Sequence, residues 1–344
     1  MISAARGVLA RPISCRRAVA AATAATASAS QCTRHLATTT TDMSSDAQVL
    51  ARLQQELPAL YEHGLEHFKP AWSAVVGAVA GSPSVIVDLA SGPGEPACSL
   101  AQAYPQAEVV ASDCDEAMLM QARARSFRLG LGGRVSMHPI DLRDIARLSE
   151  PGAETLHCDL VTCSFGLHAI PEEAQPSCLA GIAALLAPGG QFVATVWDDM
   201  PMVALGQRCL AAATGATSHP AALSPTSMGN GRADAMLAAA GLAPVAGHNE
   251  CGEVVLRLGR RGEERTWMLG LLPSMGALAD AAHAEGADGA VFERARAAFE
   301  REAAALSTSS PHGATAESDD DDGECVELRC KFRLLSAVKQ RLLA

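Results

Sequence analysis

The chain has 344 residues, 49% apolar and 19% charged, which is enough to bury one large or two small domains. A net charge of −11, with no basic stripe interleaved with aromatics, argues against a nucleic-acid partner. No run reaches the ~18–20 apolar residues of a bilayer span, so no integral membrane segment is expected.

Residues 1–43 read as an address rather than a fold. Up to Thr41 they hold five arginines (Arg6, Arg11, Arg16, Arg17, Arg34) and no acid, and without them the charge of the remainder falls from −11 to −16. A composition rich in Ala, Ser, Thr and Arg is that of an organelle transit peptide. Ile2, Val8, Leu9 and Ile13 fall roughly opposite the arginines, although Pro12 interrupts them. The mitochondrial matrix is the expected destination and a plastid the alternative. The bland alternative is a tail whose composition carries no address.

Residues 44–82 suggest a helical lid. Leu50, Leu53, Leu57, Leu60 and Leu65 recur at near-helical spacing, Pro58 is an expected kink, and Tyr61 and His63 are candidates to close over a ligand. "AWSAVVGAVAG" reads as a second short helix. From residue 83 strands and helices alternate. "SVIVDL", "AEVVASD", "RVSMHP", "DLVTCSF" and "QFVATVW" are the strands, and "EPACSLAQAY", "DEAMLMQARARSFRL" and "PEEAQPSCLAGIAALLA" the main helices between them. Several strands are apolar throughout, which indicates a parallel sheet covered on both faces. Residues 198–242 hold helical pieces around loop composition and are expected to cover a substrate. A further strand is expected around Glu253 to Leu258, with helices after it. Residues 307–324 include "ESDDDDGE", a low-complexity acidic insertion. "CVELRCKFRLLSAV" suits a last strand on the sheet edge.

The chemistry centres on "VIVDLASGPGEPACSLA", Val85 to Ala101. A β-branched run ends in an acid, passes a Gly-Pro-Gly turn and opens onto a helix. Gly92 to Ala97 satisfies the dinucleotide fingerprint G-x-G-x-x-G/A. Gly92, however, follows Asp88 by four positions, whereas in a dinucleotide site the first glycine follows the strand almost at once. The spacing of Asp88, Ala90, Gly92 and Gly94 resembles motif I of class I S-adenosylmethionine (SAM)-dependent methyltransferases, D/E-x-G-x-G-x-G, with alanine at the first glycine. Alanine is small enough for close approach but resists a positive φ. "DLVTCSFGLHAIPEE", "LLAPGGQFVATVW" and "AAAGLAPV" resemble the strand-four, strand-five and strand-six motifs of that superfamily, closest to its ubiquinone/menaquinone-methyltransferase-like group.

The resemblance implies a Rossmann-like α/β fold, a seven-stranded sheet with its last strand antiparallel and helices on both faces. It implies SAM as cofactor and a small-molecule methyl acceptor. Gly92 and Gly94 would let backbone approach the cofactor's amino-acid end, and the helix opening near Glu95 would offer N–H groups to its carboxylate. Asp88 would serve its ammonium group and Asp113 its ribose. Asp141 and Leu142 would meet the adenine, and Ser164 would line the cleft with Phe165. His168, just past strand four, is the candidate general base for a phenol or enol, against a histidine that packs in its loop or bonds Glu172 or Glu173. Trp197 and Asp198 are expected at the substrate pocket. Asp141 also reads as the cap of a short helix.

Other functions stay open on these residues. A methyltransferase-fold binding protein without catalysis draws on Ala90, and an NAD-dependent oxidoreductase on the dinucleotide fingerprint. An arsenite methyltransferase would need several thiolates among Cys98, Cys114, Cys158 and Cys163. The C-x4-C pairs Cys158/Cys163 and Cys325/Cys330 lie in β-like runs, so packing is expected there rather than zinc.

Overall fold

The computed structural model describes residues 49, 64–149, 157–216, 225–229, 231–286, 290–308 and 325–340. The transit peptide expected at 1–43, Tyr61 and His63, and most of the acidic insertion lie outside the described residues.

Residues 64–77 form helix α1. Strands β1 (Val85–Leu89), β2 (Glu108–Asp113), β3 (Val135–Pro139), β4 (Cys158–Ser164) and β5 (Leu186–Asp199) alternate with helices. These are α2 (Ala97–Ala103), α3 (Glu116–Arg128) and α4 (Gln175–Leu185), with a 3-10 stretch, Leu142–Ser149, between β3 and β4. Then follow α5 (Pro201–Thr214), α6 (Arg232–Ala239), β6 (Leu242–Pro244), β7 (Cys251–Arg260), α7 (Glu264–Gly270), α8 (Met275–Glu285), α9 (Val291–Leu306), β8 (Ser307–Thr308) and β9 (Cys325–Lys339).

Local chemistry explains the boundaries. Asp115 caps α3 by accepting the Ala117 N–H at 2.8 Å, and Arg125 and Arg128 sit in the last turn, where cations suit the helix dipole. α5 has Pro201 in its first turn and stops at Gly215, whose φ of +74° is left-handed.

The strand order is β3-β2-β1-β4-β5-β9-β6, and β7 and β8 also pair with β9. β1 to β5 are parallel, and β9 is antiparallel to β5 and β6. The seven expected strands are present, β7 being the one expected around Glu253 to Leu258, and the short β6 and β8 extend the sheet to nine. One expectation needs correction: β9 is not an edge strand. It lies between β5 and β6, and Leu334 to Ala337 are all buried, the polar Ser336 with its hydroxyl accepting from Gln191 Nε2. Ser307 and Thr308, assigned to the acidic insertion, belong to β8 instead.

Alternating residues feed two cores. Val87, Val161 and Ala194 face α4 and α6, whereas Ile86, Leu160 and Val193 pack in the cluster that holds Val75 of α1 and Leu100 of α2. A third cluster joins α5, α7, α8 and α9 to β7 and the first half of β9. It stands beyond the carboxyl ends of β4 and β5, where open α/β sheets bind ligands.

Candidate active site

The glycine turn is built on left-handed backbone. Ala90, Gly92 and Gly94 have φ of +52°, +51° and +103°. Ala90 thus takes the conformation a glycine would take, at a cost of about 1–2 kcal/mol. A side chain at Gly94 would press to 3.1 Å from the Ala122 backbone, whereas one at Gly92 would meet nothing within 4 Å. Gly94 is therefore required for packing of the turn on α3, and Gly92 faces open space.

The turn's donors are spent inside the chain. The Ser91, Gly94, Glu95, Cys98 and Leu100 N–H groups donate to backbone carbonyls. Gly92 N–H donates to Asp113 Oδ2 at 2.9 Å, Ala97 N–H to Asp88 Oδ2 at 3.1 Å, and Ser99 N–H to Glu95 Oε2 at 3.1 Å. The open N–H cradle expected near Glu95 is therefore not found in this conformation. Pro93 and Pro96 carry no donor, α2 begins only at Ala97, and carboxylates fill the rest.

Asp88 is fully buried and also accepts from Thr162 Oγ1 at 2.6 Å. Burial pushes its pKa up to about 8 against the opposing pull of those bonds. It sits beneath the turn as a tether between β1, β4 and α2. Burial also raises Asp113, although the Asp115 and Gly92 N–H groups stabilise its charge. Burial raises Asp141 too, but Arg143 outweighs it and holds the carboxyl below its ordinary value. Asp141 Oδ1 accepts the Arg143 N–H at 2.9 Å, so the capping role is the one seen, and Leu142 is buried in the core beside it. Glu95, which the sequence singled out only as a helix opening, is clamped by Arg125 Nε and Nη2 at 3.0 and 2.8 Å.

An apolar cleft of about 310 Å³ opens between this turn and the third core. Ala90, Gly92, Glu95 and Ser164 form one side. Phe68, Trp72, Phe165 and Trp197 form an aromatic wall, with Phe165 and Trp197 stacked at 3.8 Å and 9° and Phe68 edge-on to both. Such ring pairs add about 0.5–1.5 kcal/mol beyond their buried area. Phe165 has a φ of +59°, the bend that turns its ring onto Trp197. Met200, Leu256, Leu269 and Pro273 close the far side. Three of these four lie beyond residue 242, in β7, α7 and the turn after it, outside the segment 198–242 expected to cover a substrate. Periodicity marks those residues as ordinary core, and nothing in the sequence signals that they border a cleft.

His168 is corrected by its partners. It is 3% exposed; its Nε2 accepts the Trp197 N–H at 2.8 Å, and its Nδ1 is 3.1 Å from Ser227 Oγ. An Nε2 that accepts carries no proton, so Nδ1 holds it and donates to Ser227. His168 is a neutral strut between the strand-four loop and β5, not a free base, and the hydrogen bonds of its ring go to Trp197 and Ser227. Asp198 is likewise engaged, accepting from Arg333 Nε at 3.1 Å. Two of the four candidate thiols are held protonated, which disfavours the thiolates an arsenic site would need. Burial pushes Cys98 up to about 12 and Cys163 well above the ordinary thiol range.

Residues 86–190 match the methyltransferase-domain family. Trans-aconitate 2-methyltransferase of Methylobacterium radiotolerans is 31% identical over 42% of this chain and 50% of its own. Demethylmenaquinone methyltransferase of Deinococcus radiodurans is 35% identical over 35% of this chain and 46% of its own. The chain thus spans about half the length of the curated relatives it matches. The crystal structure of a putative methyltransferase from Bacillus halodurans C-125 is 16% identical and covers 78% of this chain and 99% of that one, at a TM-score of 0.43. That likeness is too loose to speak to chemistry. The family match, with the sheet order and the turn after β1 in agreement, identifies residues 86–190 as a methyltransferase domain of the class I, SAM-dependent kind.

Proposed function

We propose that this protein transfers a methyl group from SAM to an oxygen or carbon of a small, mainly apolar molecule. The observation that carries the reading is the glycine turn of the matched domain opening directly onto an aromatic-walled apolar cleft. The residues present fit the cofactor. Open space over Gly92 leaves room for it, and the aromatic faces of the cleft favour a methyl-bearing cation. The left-handed Ala90 preserves the glycine-like turn, which weakens the case for a fold that has lost catalysis.

SAM, when bound, supplies an activated methyl group on a sulfonium. The chain's contribution is positioning and exclusion of water. The clamped Glu95–Arg125 pair and the Asp88 tether fix the turn, and the Phe165–Trp197 stack fixes the acceptor side. Asp113 is proposed for the ribose, and Asp141 with Leu142 for the adenine. His168 serves by holding Trp197 in place. No helix among the described residues is long and apolar enough to cross a membrane. Residues 1–43 are proposed to direct the protein to the mitochondrial matrix, with a plastid as the alternative, and a fluorescent fusion of that segment decides between them.

Incubation with methyl-labelled SAM and a panel of small phenols, enols and carboxylic acids tests the activity. Label is expected in products that partition into organic solvent. SAM binding without transfer to any extractable molecule would favour the binding-protein reading.

A further inference from the structure

The strand ends beneath the cleft carry two buried hydroxyls with no hydrogen-bond partner, Ser164 Oγ and Thr195 Oγ1. Ser164 and Thr195 are register partners on the parallel strands β4 and β5, so their side chains lie side by side on one face, with Cα atoms about 4.8 Å apart. Phe165 N–H donates to the Thr195 carbonyl at 2.9 Å, which locks this pair to the stacked ring next in the chain. Trp197 follows Thr195 by two positions and stands on the same face. Ser164 lines the cleft, and Thr195 is fully buried beside it. Unsatisfied buried hydroxyls are rare, and a neighbouring pair at a cleft calls for an oxygen that completes them. The described residues lining the cleft include one histidine, His67, at its α1 rim but no lysine or arginine, and the one carboxylate, Glu95, is held by Arg125.

We infer that Ser164 and Thr195 form a polar anchor for one oxygen of the methyl acceptor, and that the acceptor is a planar, uncharged aromatic molecule bearing a hydroxyl or carbonyl. The inference rests on the methyltransferase reading of this cleft. The ring stacks along the Phe165–Trp197 wall while its oxygen meets the two hydroxyls. A carboxylate-rich acceptor is disfavoured, because His67 is the one cleft side chain that could pair with it and no lysine or arginine would replace the rest of its hydration. The proposed reaction forms the new bond to methyl as the sulfonium carbon–sulfur bond breaks, leaving S-adenosylhomocysteine and releasing the acceptor's proton to solvent.

The test is calorimetry of the full chain with naphthalene, 2-naphthol and 2-naphthoate, each with and without S-adenosylhomocysteine. The expected order of affinity is naphthol, naphthalene, naphthoate. In Thr195→Val and Ser164→Ala the preference for naphthol over naphthalene should shrink about three- to tenfold. Because valine matches threonine in size, the first variant also guards against a packing artefact. Tightest binding of naphthoate, or an unchanged naphthol preference in both variants, would overturn the inference. Failure of S-adenosylhomocysteine to bind would overturn the methyltransferase reading alone, since the ring probes report on the anchor independently.

Discussion

Replacing His168 by alanine should unfold the protein more readily rather than merely slow it. The change removes the acceptor of the Trp197 N–H, which then lies buried and unpaired at a cost of about 1–3 kcal/mol. Ser227 keeps Gln175 Nε2 at 3.3 Å and loses only the imidazole, about 0.5–1.5 kcal/mol. The space left by a ring that is 3% exposed adds roughly 1 kcal/mol for incomplete collapse. The sum is about 3–5 kcal/mol, which in a chain of this size lowers the melting temperature by roughly 4–7 °C. His168→Gln, which can still accept the Trp197 N–H, should lose about half as much. Thermal unfolding of the variants alongside wild type measures this. A His168→Ala protein as stable as wild type but without turnover would refute the strut and restore the general base.

Asp88 should make stability fall as pH rises. Its folded pKa of about 8 lies above the ordinary 3.8, so its contribution is complete below pH ~4 and lost as pH climbs through ~8. Urea titrations of Asp88→Asn between those limits should be flatter than wild type, and identical slopes would contradict its burial. Ala90→Gly should raise stability by about 0.5–1 kcal/mol, the relieved left-handed strain less the added freedom of the unfolded chain, as read by urea midpoint. Gly94→Ala should cost at least ~2 kcal/mol, because it combines a φ of +103° with a 3.1 Å approach to the Ala122 backbone. A neutral Gly94→Ala would mean that the turn is looser than drawn.

What could be read from the residues was local. The β-branched runs, the Gly and Pro punctuation and the Asp115 cap each lie within a few residues, and they gave the five parallel strands and the turn. Ala90 was conspicuous because alanine stood where left-handed backbone was needed. The rest depends on distance along the chain. Asp88 looks like an acid leaving a strand until Thr162, 74 residues later, is seen bonded to it. His168 looks like a base until Trp197 and Ser227, 29 and 59 residues away, take both of its nitrogens. β9 looks like an edge because nothing in its alternating first half reveals that β6 and β7 pair against it. Thr195 carries no signal in sequence, since only the register with Ser164 makes its hydroxyl conspicuous.

The central claim is the identity of the cofactor on the Gly92–Gly94 turn. Calorimetry of the protein with SAM, S-adenosylhomocysteine and NAD tests it most directly, repeated with Asp113→Ala. The account predicts micromolar binding of both adenosyl ligands, lost in the variant, and none of NAD. Binding of NAD alone would contradict it.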